Sequence, residues 1–335
     1  MSPARQVSAG PHSTSGTECQ GLHALTDCVA PLIRDLRERG LIAGYFFVNR
    51  WADRHIRLRL TPIGVDDVDE VCRTAEAAMS RYLTRRATEA PRPPRAPRSE
   101  PDDCPTVEYL VLEYAATERP RIFGGPAADL QDGSVRYHRY EPDGGHHGGP
   151  AGVDLAEWHF EHSSDLVLEL VQSVDTHTRS TMLGLAAQLS MIMTAVFVPD
   201  TARLAAFLGR VRPGDPDAAL TAYDQVGSVL RERFAEVRRA VAPEGDGSPP
   251  DDAGLAGPAA DWAQHCHELR DRVVELGGAG ALVFRPDPAA GSEALTRLLA
   301  VYLHGTLNRL GATPADEAVL PYLLARALRE SENDD

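Results

Sequence analysis

The sequence predicts an α+β fold: an antiparallel or mixed sheet from the N-terminal half packed with a helical C-terminal half. Three observations carry this. Segments dense in β-branched and aromatic residues fall within the first 140 residues. Beyond residue 155 apolar residues recur at helical spacing. Strand and helix patterns do not alternate along the chain, which speaks against a doubly wound parallel sheet. At 335 residues, 43% of them hydrophobic and 25% charged, the chain can bury a sizeable core.

Taken in order, residues 1–18 are rich in Ser, Gly, Pro and Thr and read as a mobile tail. One domain is expected over 19–335. Over 18–39, Leu22, Leu25, Val29, Leu32, Ile33 and Leu36 form one helical stripe, and Gly40 suits its end. The next segment, LIAGYFFVNRWADRHIRLRL, reads as two strands with a turn at Trp51, Ala52 and Asp53. In its second half Ile56, Leu58 and Leu60 share one sheet face, with His55, Arg57 and Arg59 on the other. A helix over 65–88 follows. The proline density of 90–103 forbids a helix or a central strand and marks a flexible insertion. Strands are expected over 106–114 and 135–140, and the glycines of 143–149 predict irregular backbone. Helices are expected over 155–172, 179–196, 200–208, 217–240, 260–276, 292–310 and 314–330. Thr313 stands as the cap of the last helix and Pro314 in its first turn. Residues 243–260 form a second flexible, low-complexity insertion.

Composition excludes several function classes. The formal net charge of -15 argues against general duplex binding, which needs a basic face. No nucleic-acid partner is expected. No run approaches the roughly 20 apolar residues of a membrane span, and the first residues lack an apolar signal core. The expectation is a cytoplasmic protein with no membrane partner. Cys19, Cys28, Cys72, Cys104 and Cys266 are odd in number and form no C-x-x-C pair, so neither a disulfide framework nor a zinc ribbon is read. No phosphate-binding loop or dinucleotide fingerprint occurs, and no cofactor is expected.

Three polar clusters remain. His146 and His147 sit among glycines, with His159 and His162 shortly after, while His265 and His267 flank Cys266. On a helix, residues two apart point about 200° from each other, so the last pair reads as surface or helix-flank histidines, and no metal is expected. His55, Arg57 and Arg59 project from one sheet face. They form either a solvated surface or a groove for planar oxygens. Near the C-terminus, His304 and Asn308 stand one above the other at i and i+4, beside a stripe of Leu303, Leu307 and Leu310.

Three motifs stand in order: YFFVNRWADRHIRLRL, then YEPDGGHHGGP with Trp158-His159-Phe160 and Ser163-Ser164-Asp165, then HGTLNRLG. Together they resemble the C-terminal elimination domain of lantibiotic dehydratases, also known as the thiopeptide-type bacteriocin biosynthesis domain. The resemblance spans roughly residues 20–330 and implies that family's fold for a single catalytic domain. Stand-alone members include two chemistries. One eliminates glutamate from glutamylated Ser or Thr. The other is the thiopeptide pyridine synthase, which joins two dehydroalanines by a formal [4+2] aza-cyclisation, then loses water and the leader peptide as the macrocycle closes.

A departure from the eliminase pattern favours the second chemistry. The pattern's middle arginine falls at His146 and its tyrosine at His147, and neutral imidazole cannot replace a guanidinium fork on a carboxylate. The resemblance therefore implies a pyridine synthase acting on a modified precursor peptide with its leader and dehydrated core, in a possible homodimer. The glutamate eliminase and a non-catalytic peptide-binding scaffold are the alternatives. His304 and His146 are expected to move protons, since imidazole has a reference pKa of about 6.5. Tyr302, Ser163 and Ser164 are expected to hydrogen-bond the reacting amide tautomer. His55, Arg57, Arg59, Tyr140, His147, Asn308 and Arg309 are expected to bind substrate.

Overall fold

Ile56, Leu58 and Leu60 turn into the core and Arg57 and Arg59 face the other way, as a period of two requires. The computed structural model describes residues 20–50, 55–89, 109–114, 135–174, 178–242, 255–285 and 288–334. The expected tail over 1–18, the turn at 51–53, the insertion over 90–103 and residues 243–254 of the second insertion lie outside these residues.

Strand β1 (Ile42–Arg50) pairs antiparallel with β2 (His55–Pro62). β2 runs parallel to β3 (Tyr109–Tyr114), and β3 parallel to β4 (Val135–Arg139). The result is a mixed four-stranded sheet in the order β1-β2-β3-β4. Tyr45, Phe47, Ile56, Leu58 and Leu60 are buried. The first expected helix forms as α1 (Gln20–Ala24), a π-helical turn (Leu25–Val29) and α2 (Ala30–Glu38). Its predicted stripe is buried throughout. Pro31, which has no N–H to give to the ladder, stands just past the π turn. α3 (Val68–Glu89) packs against α2 and the sheet.

The stretch predicted as irregular is instead helical. Asp143 accepts a hydrogen bond from the His146 N–H (3.1 Å) and caps α4 (Gly144–His147). Gly148, at φ 87°, breaks the rise, and Gly149 and Pro150 start α5 (Gly149–Ser173) at once. The glycines that argued for a loop are the joint between two helices. The helical half continues with α6 (Arg179–Phe197), α7 (Thr201–Leu208), α8 (Pro216–Val241), α9 (Pro258–Gly278), α10 (Gly291–Leu310) and α11 (Pro314–Asp334). Residues 258–260, expected within a flexible stretch, are the first turn of α9. Thr313 caps α11 by receiving the Asp316 N–H, and Asp316 Oδ2 accepts from the Thr313 N–H in return.

α6 corrects the expectation that no run approaches a membrane span. Its 19 residues pass that test by length and composition. Here it is a core helix of the bundle, in contact with α8, α9, α10 and α11, with 67% of its apolar 18-residue window buried. A helix apolar on every side needs neighbours on every side.

The free edge of β1 is closed by side chains from α5 and α10. The Phe47 N–H donates to Ser164 Oγ (3.3 Å). The Asn49 N–H donates to Asn308 Oδ1 (2.9 Å), and Asn308 Nδ2 donates to the Asn49 carbonyl (2.8 Å). The Asn308 amide thus reproduces a strand neighbour's two bonds at Asn49.

Candidate functional site

Register places Phe46 opposite Arg59 on the sheet face away from the aliphatic core. Arg59 lies 3.8 Å above the Tyr140 ring, just past β4. Phe46 meets Tyr140 and Phe160 edge-on, at 5.8 and 5.4 Å between centroids. Phe160, on α5, in turn carries Arg309 of α10 at 4.4 Å. Two arginines thus flank one aromatic wall assembled from β1, β2, the end of β4, α5 and α10.

Arg309 is only 1% exposed, yet its Nε and Nη1 have no hydrogen-bond partner among the described residues. The same holds for Arg59 Nε and Nη1. Glu157 stands 3.8 Å from Arg59 Nη2, too far for a hydrogen bond. Burial lowers the Arg309 pKa, but a guanidinium remains charged at neutral pH. The backbone beneath it is pinned, because Asn49 Nδ2 donates to the Asn308 and Arg309 carbonyls (2.6 and 3.1 Å). Gly305 lets the guanidinium approach: a Cβ there would stand 2.9 Å from Arg309 Nη1.

Two further side chains carry buried, unpartnered polar atoms, and one of them, His147, borders this wall. The Tyr302 hydroxyl is buried without a partner, and burial holds its pKa well above the usual phenol range. His147 packs edge-on against Phe160 (5.5 Å) with Nδ1 buried and unpartnered. Burial lowers its pKa, which favours neutral imidazole. Buried polar atoms without partners are rare in folded proteins. Those of Arg59, Arg309 and His147 converge on Phe46 and Phe160 and mark a place for a ligand rich in hydrogen-bond acceptors.

The expected residues divide between this wall and other places. Arg59, Tyr140, His147 and Arg309 come together, while the Tyr302 ring packs on His159 (4.8 Å). Arg57 lies on the same sheet face, and His55 opens β2. Ser163 and Ser164 are buried and hydrogen-bond to the Phe160 carbonyl (3.2 and 2.7 Å). The amide of Asn308 is engaged at the β1 edge rather than facing a substrate.

His146 and His304 are not brought to the wall. The His146 side chain is 73% exposed, with Nδ1 at 2.7 Å from Asp143. The imidazole that reaches Phe160 is that of the next residue. On α10, Tyr302, Gly305, Thr306 and Arg309 follow i, i+3, i+4, i+7 spacing and share a face, from which His304 points away. His304 is bound to Glu317 (2.6 Å), which raises its pKa. It lines a separate cavity of about 620 Å³ with Phe207, Arg210, Arg297 and Leu307.

Sequence reasoning also missed what stands behind the wall. His159 is wholly buried on α5, with Nε2 at 3.3 Å from Thr306 Oγ1 and Nδ1 at 3.0 Å from His265 Nε2. His265, expected at a surface, is 7% exposed between Trp158 and Trp262. The available signal was the shared face of Tyr302, Thr306 and Arg309, which attention to His304 obscured. Among the described residues no group of three His, Cys, Asp or Glu side chains is arranged to hold a metal ion.

The crystal structure of TsrL is similar to the chain with a TM-score of 0.60 at 19% identity, covering 94% of this chain and 92% of TsrL. TbtD, the pyridine synthase from thiomuracin biosynthesis, gives 0.58 at 17%, covering 96% of this chain and 97% of TbtD. The tRNA-dependent lantibiotic dehydratase MibB from Microbispora sp. 107891 gives 0.54 at 15%, covering 98% of this chain but 29% of MibB. At these identities the likeness is one of fold. No curated protein sequence matches the chain. Residues 16–328 match the family described as the lantibiotic biosynthesis dehydratase C-terminal domain, and the chain belongs to that family.

Proposed function

We propose that the chain is a thiopeptide pyridine synthase, which joins two dehydroalanines of a modified precursor peptide by formal [4+2] aza-cyclisation and then expels water and the leader peptide. The observation that carries this reading is the pair of guanidinium groups, Arg59 and Arg309, with unmatched N–H donors on one aromatic wall. A dehydrated peptide is planar, conjugated and rich in carbonyl acceptors. Its unsaturated units suit stacking on Phe46 and Phe160, and its carbonyls suit the arginine forks. Holding two alkenes in near-attack geometry is the main catalytic demand of such a step. Fixed positive charge beside an amide oxygen stabilises the imidate, the deprotonated azadiene form of the amide. In this reading Tyr302 hydrogen-bonds that imidate, and neutral His147 exchanges protons during aromatisation. The likeness in fold to TbtD supports it.

The same two arginines favour a second reading, glutamate elimination, because a guanidinium pair also grips a leaving carboxylate. Mass spectrometry separates the two. With a thiazole-containing bis-dehydroalanine peptide, the expected result is a macrocyclic pyridine and a released leader fragment. Glutamate loss from a glutamyl-Ser peptide, with no leader release from the first substrate, establishes the eliminase instead. Peptide binding with neither conversion leaves a scaffold.

A further inference from the structure

Behind the aromatic wall a line of polar groups runs from α10 through α5 to α9. The Thr306 hydroxyl donates to the Tyr302 carbonyl (2.9 Å) and stands 3.3 Å from His159 Nε2. His159 Nδ1 stands 3.0 Å from His265 Nε2. The His265 ring is stacked with that of the exposed His162, at 4.5 Å between centroids. His265 Nδ1 is buried with no partner among the described residues.

The line takes a direction once the Thr306 proton is placed on the Tyr302 carbonyl. A threonine hydroxyl has one proton. With that proton on the Tyr302 carbonyl, Thr306 can only accept from His159, so His159 carries its hydrogen on Nε2. Its Nδ1 is then an acceptor, and His265 must donate from Nε2. His265 Nδ1 is left as a bare, buried lone pair at the end of the line. Both rings are held neutral by burial, and the Arg309 charge adds to this at His159. Arg272 and His162 act in the same sense on His265. Such a line can pass a proton but does not store one.

We propose that His159 and His265 form a neutral two-imidazole relay that carries protons between solvent on the His162 side and the Thr306 hydroxyl, which shares a helix face with Tyr302 and Arg309. When a reacting atom takes the Thr306 proton, Thr306 takes the Nε2 proton of His159. His159 Nδ1 then takes the Nε2 proton of His265, and His265 Nδ1, buried at rest, takes one from a water that enters beside the exposed His162 ring. One proton enters and one leaves, and both imidazoles end as Nδ1–H tautomers. When the substrate later gives up a proton, the same hops run backwards and restore the starting state. His159 and His265 are positioning residues here, and Thr306 makes the exchange. The catalytic part rests on the function proposed above; the tautomer assignment does not.

Two measurements test it. Nitrogen-15 NMR of the histidines is expected to show Nε2–H tautomers at His159 and His265, with neither ring titrating near its reference value. An Nδ1–H form at either, or titration near 6.5, overturns the relay whatever the chain's substrate. On the bis-dehydroalanine peptide, Thr306→Val and His265→Phe are each expected to lower kcat about a hundredfold, the low end for a positioned proton donor, with KM unchanged. The double variant is expected to lose no more than either single one. Wild-type kcat in folded His265→Phe, or additive losses, sinks the proposal. If His265→Phe fails to fold, Thr306→Val keeping its kcat and solvent isotope effect has the same force. If neither peptide reacts, the function reading fails, and the NMR result alone decides whether the polarised line exists.

Discussion

Arg309 is a cation set among aromatic rings, with no carboxylate in ion-pair contact among the described residues. A lone buried charge destabilises a fold, and a well-packed apolar side chain in its place is often neutral or stabilising. Arg309→Met is therefore expected to leave the thermal midpoint unchanged or higher, while turnover of the dehydrated peptide drops at least about a hundredfold, as for loss of a positioned donor. A midpoint lowered by several degrees with activity intact would instead make Arg309 structural. Gly305 gives a complementary prediction. Alanine gains about 1 kcal/mol of helix propensity there, but its Cβ would sit 2.9 Å from Arg309 Nη1 and displace the guanidinium. Gly305→Ala is expected to stay folded under thermal melting and lose up to about a hundredfold in kcat, the order a 1 Å misplacement produces. Unchanged kcat would show that the guanidinium's position is not critical.

Among the elements, the edge of β1 is the joint between sheet and bundle. Asn308 gives α10 the hydrogen-bonding pattern of a strand, and Ser164 does part of the same for α5. Asn308→Ala removes partners from both the N–H and the carbonyl of Asn49. The expected loss is about 2 kcal/mol by denaturant unfolding, in the range for buried unsatisfied groups. Turnover is expected to fall as well, because Arg309 follows Asn308 directly. A variant as stable as the parent would mean that water replaces the amide at no cost. The short α4 is the second joint. It turns His147 toward Phe160 and leaves His146 outside, so the helix start at Asp143 decides which of two adjacent imidazoles meets the site.

Across the molecule, two neutral histidines are buried where the sheet-facing helices meet α9. His159 is held well below its ordinary pKa, and His265 at about 3, in both cases mainly by desolvation. Unfolding frees both to titrate near the reference value of about 6.5. Below that pH the unfolded chain binds more protons than the folded one, so stability falls as pH falls. Each histidine contributes a slope of up to about 1.4 kcal/mol per pH unit from about pH 6.5 downward. For His265 this continues to about 3. The double variant His159→Phe with His265→Phe is expected to flatten unfolding free energy between pH 4 and 6. A parent chain equally stable at pH 4 and 7 would contradict the burial of both rings.

Sequence alone determined most of the elements, because their causes are local, but not the helical joint over 144–149. The strict alternation at 56–60, the apolar stripe from Leu22 to Leu36 and the Thr313 cap with Pro314 each act within a few residues. The family was legible too, in three motifs whose order survives divergence. Tertiary structure decided which polar groups meet. His146 and His147 are neighbours in sequence but diverge in space, since a helix turns each residue by about 100°. Arg309 joins Phe46 only because a side-chain amide stitches α10 to a strand some 259 positions away. Periodicity shows which face of an element is apolar, whereas a site is made of faces from distant segments. Only long-range packing settles where those faces come together.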